Sequence, residues 1–372
     1  MTSSAVKEFS PPLHALRGIA AMAVLFFHWY QFFPSAAHVL RPETFSGTLL
    51  DPTVFLGFGW MGVPLFFVLS GYLLGGQVIS QPLSGRFLRR FWLKRALRIY
   101  PAVWAELVLL LILGTMIDGL ISKQGMESLP FQFLLWINLP PNMVQPINGV
   151  WWTLPVELGF YLLLPLLGLL VRFIGWRGLL IGGAVLTLAW RAIWFLTGDT
   201  DNFLTLLPVL DSLPGVLFTF LLGFSLKFVP VSLSPKSRSQ MTIVSVISLL
   251  ALMQWQLSLD AVYWTGHWIL VVWPPLVAIP IAAIVYVTRD PLSQWRWLEH
   301  GMLVWLGHVS FGIYLWHFQV MRILVLSYPD AWGTPATDLL ALIVAILSTL
   351  VLAALSYYYV EKPMMNWGKR NA

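Results

Sequence analysis

Apolar residues run along this chain in stretches of about twenty, separated by short polar junctions. The stretches fall near 13–33, 54–79, 99–117, 151–171, 178–197, 204–228, 241–259, 268–287, 302–327 and 338–360. Each is long enough to cross the ~30 Å hydrocarbon core of a bilayer as an α-helix. The pattern predicts an all-α fold, a polytopic integral membrane helix bundle of about ten transmembrane helices. Charge at the junctions alternates. One set holds Lys7, then Arg86, Arg89, Arg90, Lys94, Arg95 and Arg98, then Arg172 and Arg177, Lys227, Lys236 and Arg238, Arg289 and Arg296, and Lys362, Lys369 and Arg370. The other holds mostly acids: Glu43, Asp51, Asp118, Glu127, Asp199, Asp201, Asp260, Asp330 and Asp338. Basic junctions face the cytoplasm, so both termini are expected there. A missed or extra helix would scramble this alternation. Two outward loops, near 34–53 and 118–150, are long. The second, with Phe131-Gln132-Phe133-Leu134-Leu135-Trp136 and Leu139-Pro140-Pro141-Asn142, suits a loop or re-entrant piece packed on the bundle.

Ionisable residues interrupt these apolar runs, and Arg17, His28, Glu157 and His317 stand out among them. Arg17 and His28 are eleven steps apart in the first helix, which turns His28 back to within about 20° of Arg17 and about 16 Å further along the axis. Both side chains therefore face the same neighbour or cavity. An ionisable group facing lipid costs at least ~2.5 kcal/mol, so an interior, functional position is the default. Counting rise per residue puts Glu157 and His317 at a height similar to His28. Each has an ordinary alternative: Arg17 snorkelling to headgroups, His28 bonded to a helix carbonyl, Glu157 stabilising the first turns of its helix, and His317 in an interfacial aromatic belt with Tyr314 and Trp316. Asp211, between Pro208 and Pro214, marks a broken helix that either lines a cavity or pairs with a nearby Arg.

Composition narrows the class. Of 372 residues 58% are hydrophobic and only 10% charged, far from a soluble domain. A single membrane domain over 1–372 is expected, with no separate soluble domain and no cleaved signal peptide. The net charge of +6 sits at helix ends and does not indicate nucleic acid. There is no cysteine, which excludes thiolate metal sites and a Cys acyl carrier. No His has an i, i+4 His partner, so no metal is expected.

Six segments, in order, carry a family resemblance. They are Leu16-Arg17-Gly18 through His28; Phe66-Phe67-Val68-Leu69-Ser70-Gly71-Tyr72; Arg95-Ala96-Leu97-Arg98-Ile99-Tyr100-Pro101; Trp152-Thr153-Leu154-Pro155-Val156-Glu157; Ser310-Phe311-Gly312-Ile313-Tyr314-Leu315-Trp316-His317; and Tyr357-Tyr358-Tyr359-Val360-Glu361-Lys362-Pro363. Across nearly its whole length the chain resembles the acyltransferase-3 family of multi-pass membrane O-acyltransferases. It departs at His14, where that family often has Asp, and at Gly159, where it often has Gln.

The resemblance implies transfer of an acyl group, commonly acetyl, from cytoplasmic acyl-CoA to a hydroxyl of an exported or lipid-linked sugar, such as exopolysaccharide or lipopolysaccharide, in a bacterial plasma (inner) membrane. Acetyl-CoA is then the donor substrate, and a glycan acceptor, membrane lipids and glycan export machinery are the candidate partners. Arg90, Arg95 and Arg98 are expected to hold the donor's phosphates. Ser70, Gly71 and Tyr72 are expected to line the donor site, with backbone N–H groups near Ser70 and Gly71 facing the oxyanion. His28 is the candidate general base or acyl relay. Arg17 would guide the pantetheine or offset charge, Glu157 would orient the imidazole, and His317 would touch acceptor or carbonyl. A proton-coupled transporter using Arg17, His28, Glu157 and Asp211 is the alternative. A non-catalytic export partner is the third reading, and it leaves the buried charges unexplained.

Overall fold

The computed structural model describes residues 10–41, 43–198, 203–230, 233–259, 266–289 and 295–371. Lys7, Asp199, Asp201 and Asp260 of the charge pattern lie outside the described residues, as does the side chain of Glu43. Among the described residues the regular structure is all helical. The principal helices are α1 (Pro11–Phe32), α2 (Gly62–Ser80), α3 (Gly85–Gly114), α4 (Thr153–Thr197), α5 (Leu213–Ser225), α6 (Pro235–Ser258), α7 (Ile269–Thr288), α8 (Gly301–Ser327), α9 (Pro335–Leu355) and α10 (Lys362–Asn371). Seven helices are long and apolar enough to cross a membrane, and the protein is a polytopic membrane protein.

Local chemistry sets the helix ends. The Pro11-Pro12 pair opens α1, where a missing N–H costs nothing. Ser84 caps α3 by accepting from Phe87 N, and Ser234 caps α6 from Ser237 N. Thr334 and Thr337 cap α9 reciprocally.

The fourth and fifth apolar runs form the two legs of α4, which reverses at Gly175 (φ 70°, ψ 165°), a left-handed conformation that favours glycine. Gly159 on one leg packs against Leu213, and Thr187 on the other donates to the carbonyl of Pro214 at 2.9 Å. In a straight helix those positions would be about 42 Å apart, so the legs form a hairpin around the start of α5.

Close backbone contacts position the remaining helices. A Cβ on Gly307 would lie 2.0 Å from the carbonyl oxygen of His14, and one on Gly18 would lie 2.8 Å from Gly307 N. Ten residues further along each helix, His28 meets His317, so α1 and α8 run parallel. Gly71 and Gly223 join α2 to α5 in the same way, against the carbonyls of Phe220 and Val68. Gly312 lets α8 lie against Ala353 of α9. The sixth run is broken between Phe203–Leu210 and α5. There the Arg191 guanidinium donates to Asp211 (2.9 Å) and to the carbonyls of Leu270, Leu210 and Gly215. Asp211 thus takes the paired alternative, as part of a staple across the break.

The segment 118–150 packs back on the bundle. Its helix Leu129–Leu134 reaches back along α3: the Tyr100 hydroxyl donates to Leu134 O, and Trp104 Nε1 donates to Phe133 O. Those partners lie about 15–20 Å before the end of α3.

Gly307→Ala is expected to destabilise the protein by about 3 kcal/mol, because the added methyl meets backbone that cannot rotate away. Gly182→Ala, with open space at its Cβ, is expected to be neutral. Thermal unfolding followed by tryptophan fluorescence checks both.

Candidate active site

The centre of the site is a histidine pair. His317 is fully buried, which places it inside the bundle and not in an interfacial belt. Its Nε2 lies 2.9 Å from His28 Nδ1; His28 Nδ1 is also 3.0 Å from Val24 O, and His317 Nδ1 is 2.9 Å from Ile313 O. A carbonyl oxygen only accepts, so both Nδ1 atoms carry a proton. His317 Nε2 therefore holds a lone pair that accepts the shared His28 Nδ1–H. His28 Nε2 is left with its own lone pair and no hydrogen-bond partner among the described residues. Phe27 and Phe318 wall the His28 ring edge-on, with centroids at 5.0 and 5.1 Å. Gly149 makes room for Phe318, whose ring a Cβ there would meet at 2.9 Å.

Arg17 occupies a second polar layer, about 16 Å from His28 along α1. Arg98, Glu157, Tyr161 and Glu361 lie within electrostatic reach of it, and its Nε is buried without a hydrogen-bond partner. Glu157 accepts hydrogen bonds from Ser70 Oγ at 3.0 Å and from the Tyr161 hydroxyl. No bond joins it to His28. The expectation that Glu157 orients the imidazole is corrected accordingly: the carbonyl of Val24 and the ring of His317 do so, and Glu157 faces the arginine layer.

The expected donor-site residues separate into three places. Arg98 turns into the bundle, with Nη1 3.2 Å from Met365 Sδ, and Arg95 is half-buried. Arg90 is exposed and lines a cleft with Arg86, Arg89, Leu93 and Asn371. Its offset from Arg98 by eight helical steps turns it about 80° away. Ser70 joins the Glu157 layer. Gly71 is a helix–helix contact, and Tyr72 meets Lys227 and Arg289. Ser70 and Gly71 lie in mid-helix, so their N–H groups are engaged with carbonyls one turn earlier and do not offer the expected oxyanion donors.

Several buried polar groups had no role assigned to them from the sequence. Glu106 is fully buried on α3 and accepts from Asn148 Nδ2 (2.7 Å) and Trp151 Nε1 (2.8 Å). Asn148 also donates to Leu315 O at 2.9 Å, and Tyr314 donates to Val150 O. Gln319 and Arg322 donate to Ile147 O. The segment before Glu157 is thereby clamped to the helix that carries His317. Glu361 ends a π-helical turn, Ser356–Glu361, a form enriched at functional sites; its Oε1 accepts from Ser356 and its Oε2 is buried without a partner. An acid inside an apolar helix was the available signal for Glu106. Among the described residues no cluster of three or more His, Asp or Glu could hold a metal ion.

The membrane-spanning bundle thus holds an imidazole lone pair in its interior, with arginines drawn in from one end. The chain belongs to the acyltransferase-3 family: residues 12–358 match the family model described as an acyltransferase domain. It is similar to the peptidoglycan O-acetyltransferase OatA of Listeria monocytogenes, 24% identical over 97% of this chain and 57% of that protein. It is likewise similar to the O-acetyltransferase OatA of Staphylococcus aureus, 25% identical over 97% of this chain and 58% of that protein. The chain thus spans less than two thirds of the length of the curated relatives it matches. No solved structure matches it.

Asn148→Ala leaves Glu106 short of a buried donor, at about 1–3 kcal/mol. A lower unfolding midpoint is expected, with a larger loss for Asn148→Asp, which sets two carboxyl groups face to face.

Proposed function

We propose that the protein transfers an acetyl group from acetyl-CoA, on the cytoplasmic side, to a hydroxyl of an exported glycan on the outer side of a bacterial plasma membrane. The reading takes ten passes with both termini cytoplasmic. The α4 hairpin counts as two passes and α1 and α5 as one each, and the parallel run of α1 with α8 agrees with their places as first and ninth. The observation that supports it best is the unbonded His28 Nε2, about 16 Å along α1 from Arg17. Acetyl-CoA enters as a substrate: its phosphates meet Arg95 and Arg98, and its pantetheine arm passes Arg17 to bring the thioester to His28.

In the reaction His28 Nε2 takes the proton of the acceptor hydroxyl. The oxygen attacks the thioester carbonyl, the C–O bond forms and the C–S bond breaks. The departing thiolate then recovers the proton from the imidazolium, so atoms and charge balance. The hydrogen bond to His317 stabilises the imidazolium and holds the ring. A relay through acetyl-His28 uses the same lone pair. The name of the Listeria monocytogenes relative favours peptidoglycan as acceptor; exopolysaccharide and lipopolysaccharide sugars share the hydroxyl chemistry.

His28→Ala is expected to lower acetyl transfer by at least about a hundredfold while donor binding persists. Arg95→Ala is expected to weaken donor binding. The measurement is label transfer from radiolabelled acetyl-CoA to a glycan fraction by protein in nanodiscs. Undiminished transfer by His28→Ala refutes the assignment of the base. Uptake of label into proteoliposomes without a covalent product favours the transporter instead.

A further inference from the structure

The C-terminal ends of α5 and α7 meet the second half of α2, and they bring together two cations that the acetyl-transfer site does not use. Lys227 follows α5, Arg289 ends α7, and Tyr72 and Gly76 lie on α2. Lys227 Nζ stands 3.6 Å from the centroid of the Tyr72 ring, and Arg289 Cζ is 5.5 Å from the same centroid and 4.5 Å from that of Tyr286. The two cations are therefore within about 9 Å of each other, where like charges repel. Gly76 allows this: a Cβ there would come 2.9 Å from Lys227 Cε.

Cations at helix C-termini are ordinarily explained by the helix dipole. That accounts for much of Arg289, which donates to the carbonyls of Leu226, Val229 and Pro230. It leaves two features unexplained. Arg289 is only 8% exposed, yet its Nε is buried without a partner. The half-buried Lys227 ammonium has three donors and meets an aromatic face, with no carbonyl or carboxylate bonded to it among the described residues. No ion pair among the described residues includes either cation. Buried charge left without a counter-charge is costly.

We propose that Lys227, Arg289 and Tyr72 form a binding site for a phosphate group at the membrane boundary. An ammonium and a guanidinium edge are the usual donors to phosphate oxygens, and the Tyr72 ring holds the ammonium in place. The phosphate belongs to a phospholipid headgroup or to the coenzyme A donor, the latter resting on the function proposed above.

The full chain is placed in phosphatidylcholine nanodiscs. One arm titrates phosphatidylglycerol into the discs, and the other adds coenzyme A to phosphatidylcholine discs. Each is read as the shift of the tryptophan-fluorescence unfolding midpoint with dose. Lys227→Gln is expected to weaken the apparent affinity about tenfold in one arm, with Lys227→Arg retaining it and the exposed Lys236→Gln tracking the wild type. Tyr72→Leu, which keeps both charges, is expected to weaken the same arm. Loss in the lipid arm identifies a headgroup, and loss in the coenzyme A arm identifies the donor. The proposal is overturned if Lys227→Gln titrates like wild type in both arms, or if Lys236→Gln loses as much, which is the behaviour of bulk surface charge.

Discussion

The site depends on one helix crossing. Where α1 meets α8, Gly18 and Gly307 bring backbone against backbone, the closest approach two helices can make, and membrane helices use small residues for this purpose. From that point the helices run parallel, so equal steps along each keep the partners level. Ten residues later the partners are His28 and His317. A larger residue at the crossing would move the helices apart by more than a hydrogen bond tolerates. The glycine contact therefore sets the distance between the two imidazoles.

The intramembrane polar groups divide according to how fully their bonds are used. Arg191 and Asp211 spend theirs on each other and on carbonyls freed where the helix breaks, which is how a break persists in a membrane. Glu106 and Asn148 join the segment 118–150 to α8. His28 differs, because its Nδ1 is fixed and its Nε2 is unbonded. The layer around Arg17, Glu157, Arg98 and Glu361 is intermediate: it holds both signs of charge, and some of its atoms lack partners. Groups with unused bonding capacity are where a substrate can add the missing partner.

Much of this was legible in the sequence. The apolar runs became helical, the sixth in two pieces, because length and hydropathy largely decide what can span a bilayer. Arg17, His28, Glu157 and His317 were visible because a charge inside an apolar run is costly enough to need a reason. Their partners were not visible. Heights counted along a helix carry no information on its rotation, so Glu157 was expected beside His28 yet bonds Ser70 and Tyr161. Arg90, close in sequence to Arg95 and Arg98, lies on another part of the helix surface. The glycine contacts were hidden for a similar reason: which glycine carries a crossing depends on the opposing helix.

The central claim is that the two histidines share one proton in a fixed direction and leave His28 Nε2 as the base. The most direct test is nitrogen-15 NMR of histidine-labelled protein in lipid, with His28 assigned by comparison with His28→Gln and His317→Gln. The account predicts a neutral His28 protonated on Nδ1, with an unprotonated Nε2 and a tautomer that is lost when His317 is replaced. A proton found on His28 Nε2, or a tautomer indifferent to His317, would contradict it.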